Sequence, residues 1–283
     1  MTLSQALSAA ADQLARVHDL APSASRDAEV LLLHALDLPR STIYAHPGRL
    51  LSEREQAAYA EVIERRLTLE PVQYITGTQE FFGLAFTVGP GVLIPRPETE
   101  LLVEAALDRL PRDQPIDVLD VGTGTGAIAI AVASRLPQAK ITAVDLSAAA
   151  LEIARQNVRR HNLEGRIRLL QSDLLEALRN ADLRFDAILS NPPYVLRGER
   201  GAMHPQVRDF EPSIALFAGE DGLEIYRRLI PEARSALVQR GLLTIEIGYG
   251  QRAAIGELLK DWHGVRFLDD LQGIPRVAIA RRA

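Results

Sequence analysis

Asn191-Pro192-Pro193-Tyr194 follows an apolar run that reads as a buried strand, and its residue types suit one kind of chemistry. The asparagine side-chain oxygen is an acceptor. Pro192 lacks an N–H, and its fixed φ presets where its own carbonyl points. Two acceptors held rigidly on one spot grip both hydrogens of an –NH2 group and leave its third direction open. That suits a poor nitrogen nucleophile, an amide or an aromatic amine, whose lone pair is delocalised. The site must draw the nitrogen toward a pyramidal shape, align it, and stabilise the positive charge that develops on it. No strong base is needed beforehand, because the proton becomes acidic as the new bond forms. Tyr194 can lay its ring against the planar group that carries the amine. Asn-Pro alone often just starts a turn; the position of this run at a strand end is what adds the chemistry.

A second constellation lies upstream. In VLDVGTGTGAIAIAVA a strand ends at Asp120-Val121, Gly122-Thr123-Gly124-Thr125-Gly126 turns, and a helix begins. Glycines there permit positive φ and close approach of the backbone to a ligand, although a structural tight turn would look the same. Asp145 ends the next strand, 23 residues beyond Gly122, about where doubly wound folds present a carboxylate to ribose hydroxyls. Ser147 is available to cap the following helix, which frees Asp145 from that duty. Dinucleotide sites favour G-x-G-x-x-G with a pyrophosphate on the helix N-terminus. The G-x-G-x-G spacing here, with no phosphate anchor nearby, resembles the first motif of S-adenosylmethionine (AdoMet) methyltransferases. Asp173, in LLQSDLLEAL, stands where such enzymes contact the adenine amino group; a plain helix cap is an equal reading. Glu246 also falls at a strand's carboxyl end, as a site residue or as a partner for loops.

These residues need a frame to hold them. The first 72 residues show helical spacing: Leu3, Leu7, Ala10, Leu14 and Val17, then Ala28, Leu31, Leu32, Ala35 and Leu36. Ser52 to Glu55 reads as a capping box before a third helix to about Leu69, and Pro71 ends the run. Residues 73–92 change period and suggest a hairpin linker around Gly83. From 93 to 283 strands and helices alternate. Pro97, Glu98 and Glu100 suit a helix start, and Asp221 to Glu224 suggests a capping box before another helix. Strands are expected at 116–121, 141–145, 167–171, 185–190, 242–247, 265–269 and 277–280, with helices near 126–136, 147–162, 222–239 and 250–261. The alternation predicts an α/β domain with a doubly wound, mostly parallel seven-stranded sheet. Ligands of such sheets bind beyond the strands' carboxyl ends at the switch point.

Composition narrows the function. With no cysteine among 283 residues there are no disulfides or thiolate metal sites, and six histidines without ligand-like spacing argue against a metal. A net charge of −5 gives no global attraction to nucleic acid, although Arg197, Arg200 and Arg208 could form a local patch. The amphipathic N-terminus is neither a signal peptide nor a membrane span, so a cytoplasmic protein is expected.

The chain resembles the PrmC/HemK release-factor glutamine methyltransferases over nearly its whole length. The resemblance rests on the helical N-terminal region, PVQYITGTQEFFGLAFTVGPGVLIPRPETELLVE, VLDVGTGTGAIAIAVA, SNPPYV, FEPSIALFAGEDGLEIYRRLI and LTIEIGYGQ. It implies the class I AdoMet-dependent fold and methylation of N5 of the glutamine in the GGQ motif of release factors one and two. It also implies that Gly122 to Gly126 form the cofactor loop, that Asp145 holds the ribose, and that Asn191, Pro192, Pro193 and Tyr194 hold the glutamine amide, with Asn191 near the cofactor. The family often has an aromatic residue after the acid matching Asp173; here Leu174 offers apolar contact without ring stacking. The helices of residues 1–72 would dock the protein substrate. Rival readings are a nucleic-acid adenine-N6 methyltransferase, which needs a base-flipping pocket and basic groove, and methylation of a ribosomal-protein glutamine. An NAD-linked dehydrogenase or a non-catalytic binding module leaves the Asn-Pro-Pro-Tyr run unexplained.

Overall fold

A computed structural model describes residues 1–179 and 183–283. Its contacts divide into two compact units, one formed by Met1–Thr78 with Ala202–Phe210 and the other by Gln79–Gly201 with Glu211–Ala283.

The first unit is helical. It contains α1 (Leu3–Ala15), α2 (Ala24–Leu36), α3 (Ser41–Ala45), α4 (Glu53–Leu67) and α5 (Val72–Thr76). Thr2 with Gln5 and Ser52 with Glu55 form reciprocal capping boxes at the starts of α1 and α4. Leu3, Leu14, Leu31, Leu32 and Ile63 share one apolar core. Within it Arg66 of α4 donates to Asp27 of α2 at 2.8 Å with both side chains buried. Pro71 does not end the helical region as expected. It precedes α5, so the segment read as a hairpin from residue 73 opens with a helix. Pro is favourable at such a boundary because its missing N–H would have no helical partner anyway.

The second unit begins with the hairpin, β1 (Thr78–Phe81) and β2 (Leu84–Thr87), whose strands join through Gly83 at φ 74°. Then come α6 (Pro97–Leu107), β3 (Ile116–Val121), α7 (Ala127–Arg135), β4 (Ala139–Asp145), α8 (Ala148–Arg160), β5 (Ile167–Gln171) and β6 (Phe185–Ser190). A short helix, α9 (Pro205–Phe210), belongs to the helical unit. The chain ends with α10 (Glu224–Ala236), β7 (Leu237–Glu246), α11 (Arg252–Leu258), β8 (His263–Asp269) and β9 (Pro275–Arg281). The seven-stranded sheet has the order β5-β4-β3-β6-β7-β9-β8. Only β9 runs opposite to the other six strands. Its central strands are near-continuous apolar runs because both faces are covered.

All seven expected strands are present, with β7 starting five residues earlier than 242 because Leu237 pairs Phe185 ahead of a bulge. The capping box expected at 221–224 does not form: α10 starts at Glu224 without a side-chain cap. Asp221 instead accepts from the Leu223 N–H and pairs with Arg227, so the acid fixes the turn before the helix. Among the described residues no helix is long and apolar enough to cross a membrane.

Candidate active site

The chain leaves β3 toward β5 on one side and returns to β6 on the other, so the switch point lies between β3 and β6. Val121 and Ser190 pair there. The next residues, Gly122 and Asn191, therefore emerge side by side. Ser190 ties the two strand ends by donating to the Val121 carbonyl at 2.7 Å. Gly122 and Gly124 adopt φ of 73° and 54°, the left-handed region that other residues enter only with strain.

A cleft of about 150 Å³ opens at this point, lined by Gly122, Gly124, Asp145, Asp173, Leu174, Asn191 and Pro193 among others. Leu146, Val92 and Ile214 supply apolar walls. The described lining residues include two aspartates and no lysine, arginine or histidine. Asp145 accepts from the Gly124 N–H at 2.8 Å through one oxygen and from the Ser147 N–H at 2.8 Å through the other. Each oxygen keeps a further lone pair, and burial pushes the carboxyl's pKa up. Ser147 caps α8 by accepting from Ala150, as its position suggested.

Asp173 is not a helix cap. Its carboxylate pairs with Arg228 at 2.7 Å, and Ser172 accepts from Ala177 in the turn that follows. Leu174 beside it stands at φ 48°, a left-handed conformation unusual for leucine, which local packing holds at the cleft wall.

Three residues of the expected cofactor loop turn away from the cleft. Thr123 donates to buried Asp120 at 2.6 Å. The Thr125 carbonyl accepts from Asn157 at 2.9 Å. A Cβ on Gly126 would press on Ile130 at 3.3 Å, so its role is close packing of loop on helix. Asn157, fully buried on α8, also exchanges two hydrogen bonds with the Thr87 backbone and so anchors both β2 and the glycine loop. A lone asparagine in an amphipathic helix carries no such signal in sequence. Asp120 is likewise fully buried, its carboxyl pushed up to about 7 by burial, and its Oδ1 has no partner among the described residues.

Beyond Asn191 the chain is held on every side. Pro192 is buried and Pro193 faces the cleft. The Tyr194 carbonyl accepts from Gln251 at 3.1 Å, and Val195 exchanges backbone hydrogen bonds with Leu216 and Ala218 of the FEPSIALFAG stretch. A Cβ on Gly248 would come within 2.9 Å of the Tyr194 ring, and one on Gly222 would collide with the Tyr194 carbonyl. Gly222 of AGEDGLE and Gly248 of EIGYGQ are thus required by close approach to the loop. Burial first, and then the nearby Glu246, raises the Tyr194 phenol far above its ordinary value, so it stays protonated. Arg96 reaches Glu211 at 2.6 Å, and Glu211 also accepts from the Ile94 N–H, which couples PRPETE to FEPS. Burial raises the Glu211 carboxyl and Arg96 opposes it.

The arginines weighed as a nucleic-acid patch each have other partners. Arg197 lies near Glu220, Arg200 stacks over Phe217, and Arg208 pairs with Asp209. No group of three or more potential metal ligands exists among the described residues.

The fold and strand order are those of class I methyltransferases. The small methyltransferase domain model matches residues 97–205 and the PrmC N-terminal domain model matches residues 5–77. A release factor glutamine methyltransferase of Koribacter versatilis is 45% identical over 100% of this chain and 99% of its own length. That of Moorella thermoacetica is 41% identical over 100% and 99%. The chain belongs to the release factor glutamine methyltransferase family. Among solved structures, a T. thermophilus 16S rRNA methyltransferase in complex with AdoMet and guanosine aligns with TM-score 0.56 at 22% identity, over 73% of this chain and 50% of that one. A Pyrococcus furiosus methyltransferase aligns with TM-score 0.53 at 20% identity, over 78% and 98%.

Proposed function

We propose that this chain uses AdoMet to methylate N5 of the glutamine in the GGQ motif of peptide-chain release factors one and two, in the cytoplasm. The observation that carries the reading is a cleft at the switch point whose lining holds two carboxylates and no basic side chain, and which opens onto Asn191. A pyrophosphate-bearing dinucleotide needs donors or positive charge, whereas a ribose offers hydroxyl donors, adenine an amino donor, and AdoMet a net cation. Asp145 would take the ribose hydroxyls on its remaining lone pairs. Asp173 would take the adenine amino group on the oxygen that Arg228 leaves, with Leu174 against the ring. When bound, AdoMet supplies an electrophilic methyl on a sulfonium.

The rest is done by this chain. Asn191 Oδ1 and the Pro192 carbonyl accept the two hydrogens of the glutamine amide and orient its nitrogen toward the cleft, while Pro193 and Tyr194 wall the planar group. Held rigidly, these acceptors stabilise the charge that grows on nitrogen without reorganising. The helical unit would supply the docking surface, since a specific protein complex buries about 1,200–2,000 Å² in total, more than one side-chain pocket offers. The names of the relatives at 41–45% identity support the choice of substrate. Incubation with labelled AdoMet and purified release factors, ribosomal proteins and DNA tests the reading, with label expected on the release factors alone.

A further inference from the structure

The PETE stretch of α6 and the carboxyl end of β7 meet behind Asn191, and neither touches the proposed cofactor or substrate positions. Thr99 is 4% exposed and Glu246 1%. The Thr99 hydroxyl donates to Glu246 Oε2 at 2.6 Å. Asn191 Nδ2 in turn donates to Thr99 Oγ1 at 3.0 Å. Tyr194 reaches the other carboxylate oxygen with a long 3.4 Å contact. The Tyr226 hydroxyl donates to the Glu246 backbone carbonyl at 2.8 Å and holds the strand end.

A hydroxyl has one hydrogen, and an ionised carboxylate can only accept. Facing Glu246, Thr99 must therefore spend its hydrogen there, and only a lone pair remains for Asn191. The nitrogen end of the Asn191 amide satisfies that lone pair; the oxygen end would set acceptor against acceptor. We propose that Thr99 and Glu246 are positioning residues that decide which way round the Asn191 amide stands, presenting its oxygen to the substrate amide. The inference rests on the glutamine-methylating reading. The two ends of a carboxamide are nearly isosteric, so packing alone discriminates weakly between them. The flipped amide would point its N–H groups at the substrate's own N–H groups, and the grip would be lost.

The relay holds only while Glu246 is ionised. A protonated Glu246 can donate to Thr99, whose hydrogen then turns toward Asn191 and accommodates the flip. The charged and titratable groups facing Glu246 are Glu98 from α6, Tyr194 from its loop, Tyr226 from α10 and Arg276 from β9. Burial raises the carboxyl most, Glu98 adds to this, and Thr99, Tyr194 and Arg276 oppose it.

The test uses the full chain and release factor one, with wild type, Thr99→Val, Thr99→Ser and Glu246→Gln compared for kcat, KM, AdoMet affinity by calorimetry, and pH profile. Thr99→Val should lower kcat by roughly tenfold to a hundredfold, the scale of a misplaced reacting group, with AdoMet affinity and melting behaviour retained. Thr99→Ser, which keeps the hydroxyl, should return kcat to the wild-type range. Glu246→Gln should lower kcat and abolish the wild-type acid limb. Wild-type kcat in Thr99→Val overturns the proposal. So does a Thr99→Ser variant as slow as Thr99→Val, or a loss that follows AdoMet affinity, since either marks general damage. A wild-type protein that labels no release factor overturns the underlying reading and this inference with it, an outcome distinct from an active wild type with an indifferent Thr99.

Discussion

Asn191 spends its nitrogen on Thr99 and keeps its oxygen, so removing the side chain removes the substrate-facing acceptor together with one hydrogen bond to Thr99. Asn191→Ala should fold and bind AdoMet while kcat falls by about a hundredfold, the usual cost of one preorganised partner at a reacting centre. Single-turnover kinetics beside calorimetry separates the two effects. Asp145→Ala should do the opposite. It loses ribose contacts at about 1.5–3 kcal/mol each and also frees the Gly124 N–H, so AdoMet affinity should fall by about a hundredfold or more; an unchanged Kd in calorimetry would contradict it. Glu246 gives a pH signature. Its carboxyl is raised from 4.5 to about 7, chiefly by burial. Between those values the folded state keeps a proton that the unfolded state has lost, so stability falls as pH rises through this window and levels above it. Activity should move the other way, because the positioning role needs the carboxylate. Urea midpoints of wild type minus Glu246→Gln, followed from pH 4 to 8, should therefore decline with pH; a flat difference contradicts this. At this scale the placement was legible in sequence, since Asn-Pro-Pro-Tyr was expected at a strand end and follows β6 directly. The roles of Asn157 and Thr99 were not, because each depends on partners 32 to 147 residues away.

Elements position these groups through glycines and strand ends. Gly222 stands at φ 70° with the Tyr194 carbonyl where a Cβ would go, and Gly248 leaves 2.9 Å between such an atom and the Tyr194 ring. Gly222→Ala should displace the loop that follows Asn191, cost roughly 1–3 kcal/mol of stability as strain at a special φ, and reduce kcat more than AdoMet affinity. Gly165, with nothing near its missing Cβ, is a control that should show neither effect when changed to alanine. Thermal melts and kinetics on the pair check this. The strand pattern was readable because buried parallel strands are continuous apolar runs, as in β3 and β6. Boundaries drifted where tertiary contacts override local signals: a bulge extends β7 back to Leu237, and α5 follows a proline that reads as a stop. Asp221 misled because an acid ahead of a helix serves equally as a cap or, as here, as a brace on the preceding turn.

For the whole molecule, the helical unit is built from two separated parts of the chain, Met1–Thr78 and Ala202–Phe210. Its division from the sheet unit was only partly legible, because periodicity marks helices but not which core a distant short helix joins. Deleting the first 78 residues would remove the rest of the unit to which α9 belongs, so surface substitutions test docking more cleanly. Tyr44 is 69% exposed and Leu50 74%, large apolar groups on the helical unit that folding leaves in water. If this unit grips the release factor, Tyr44→Ala with Leu50→Ala should raise KM for intact release factor about tenfold or more, as loss of interface anchors does. AdoMet affinity and the slow methylation of a short glutamine peptide should not change. Unchanged KM would exclude this face as the docking surface.

The proposed activity requires Asn191 to hold a release-factor glutamine amide for methylation beside the cofactor cleft. Tandem mass spectrometry of release factor one after incubation with AdoMet and either wild type or Asn191→Ala tests it most directly. One methyl group is expected on the side-chain nitrogen of the GGQ glutamine with wild type, and almost none with the variant at equal time. Methylation at another residue, or equal modification by both proteins, would contradict it.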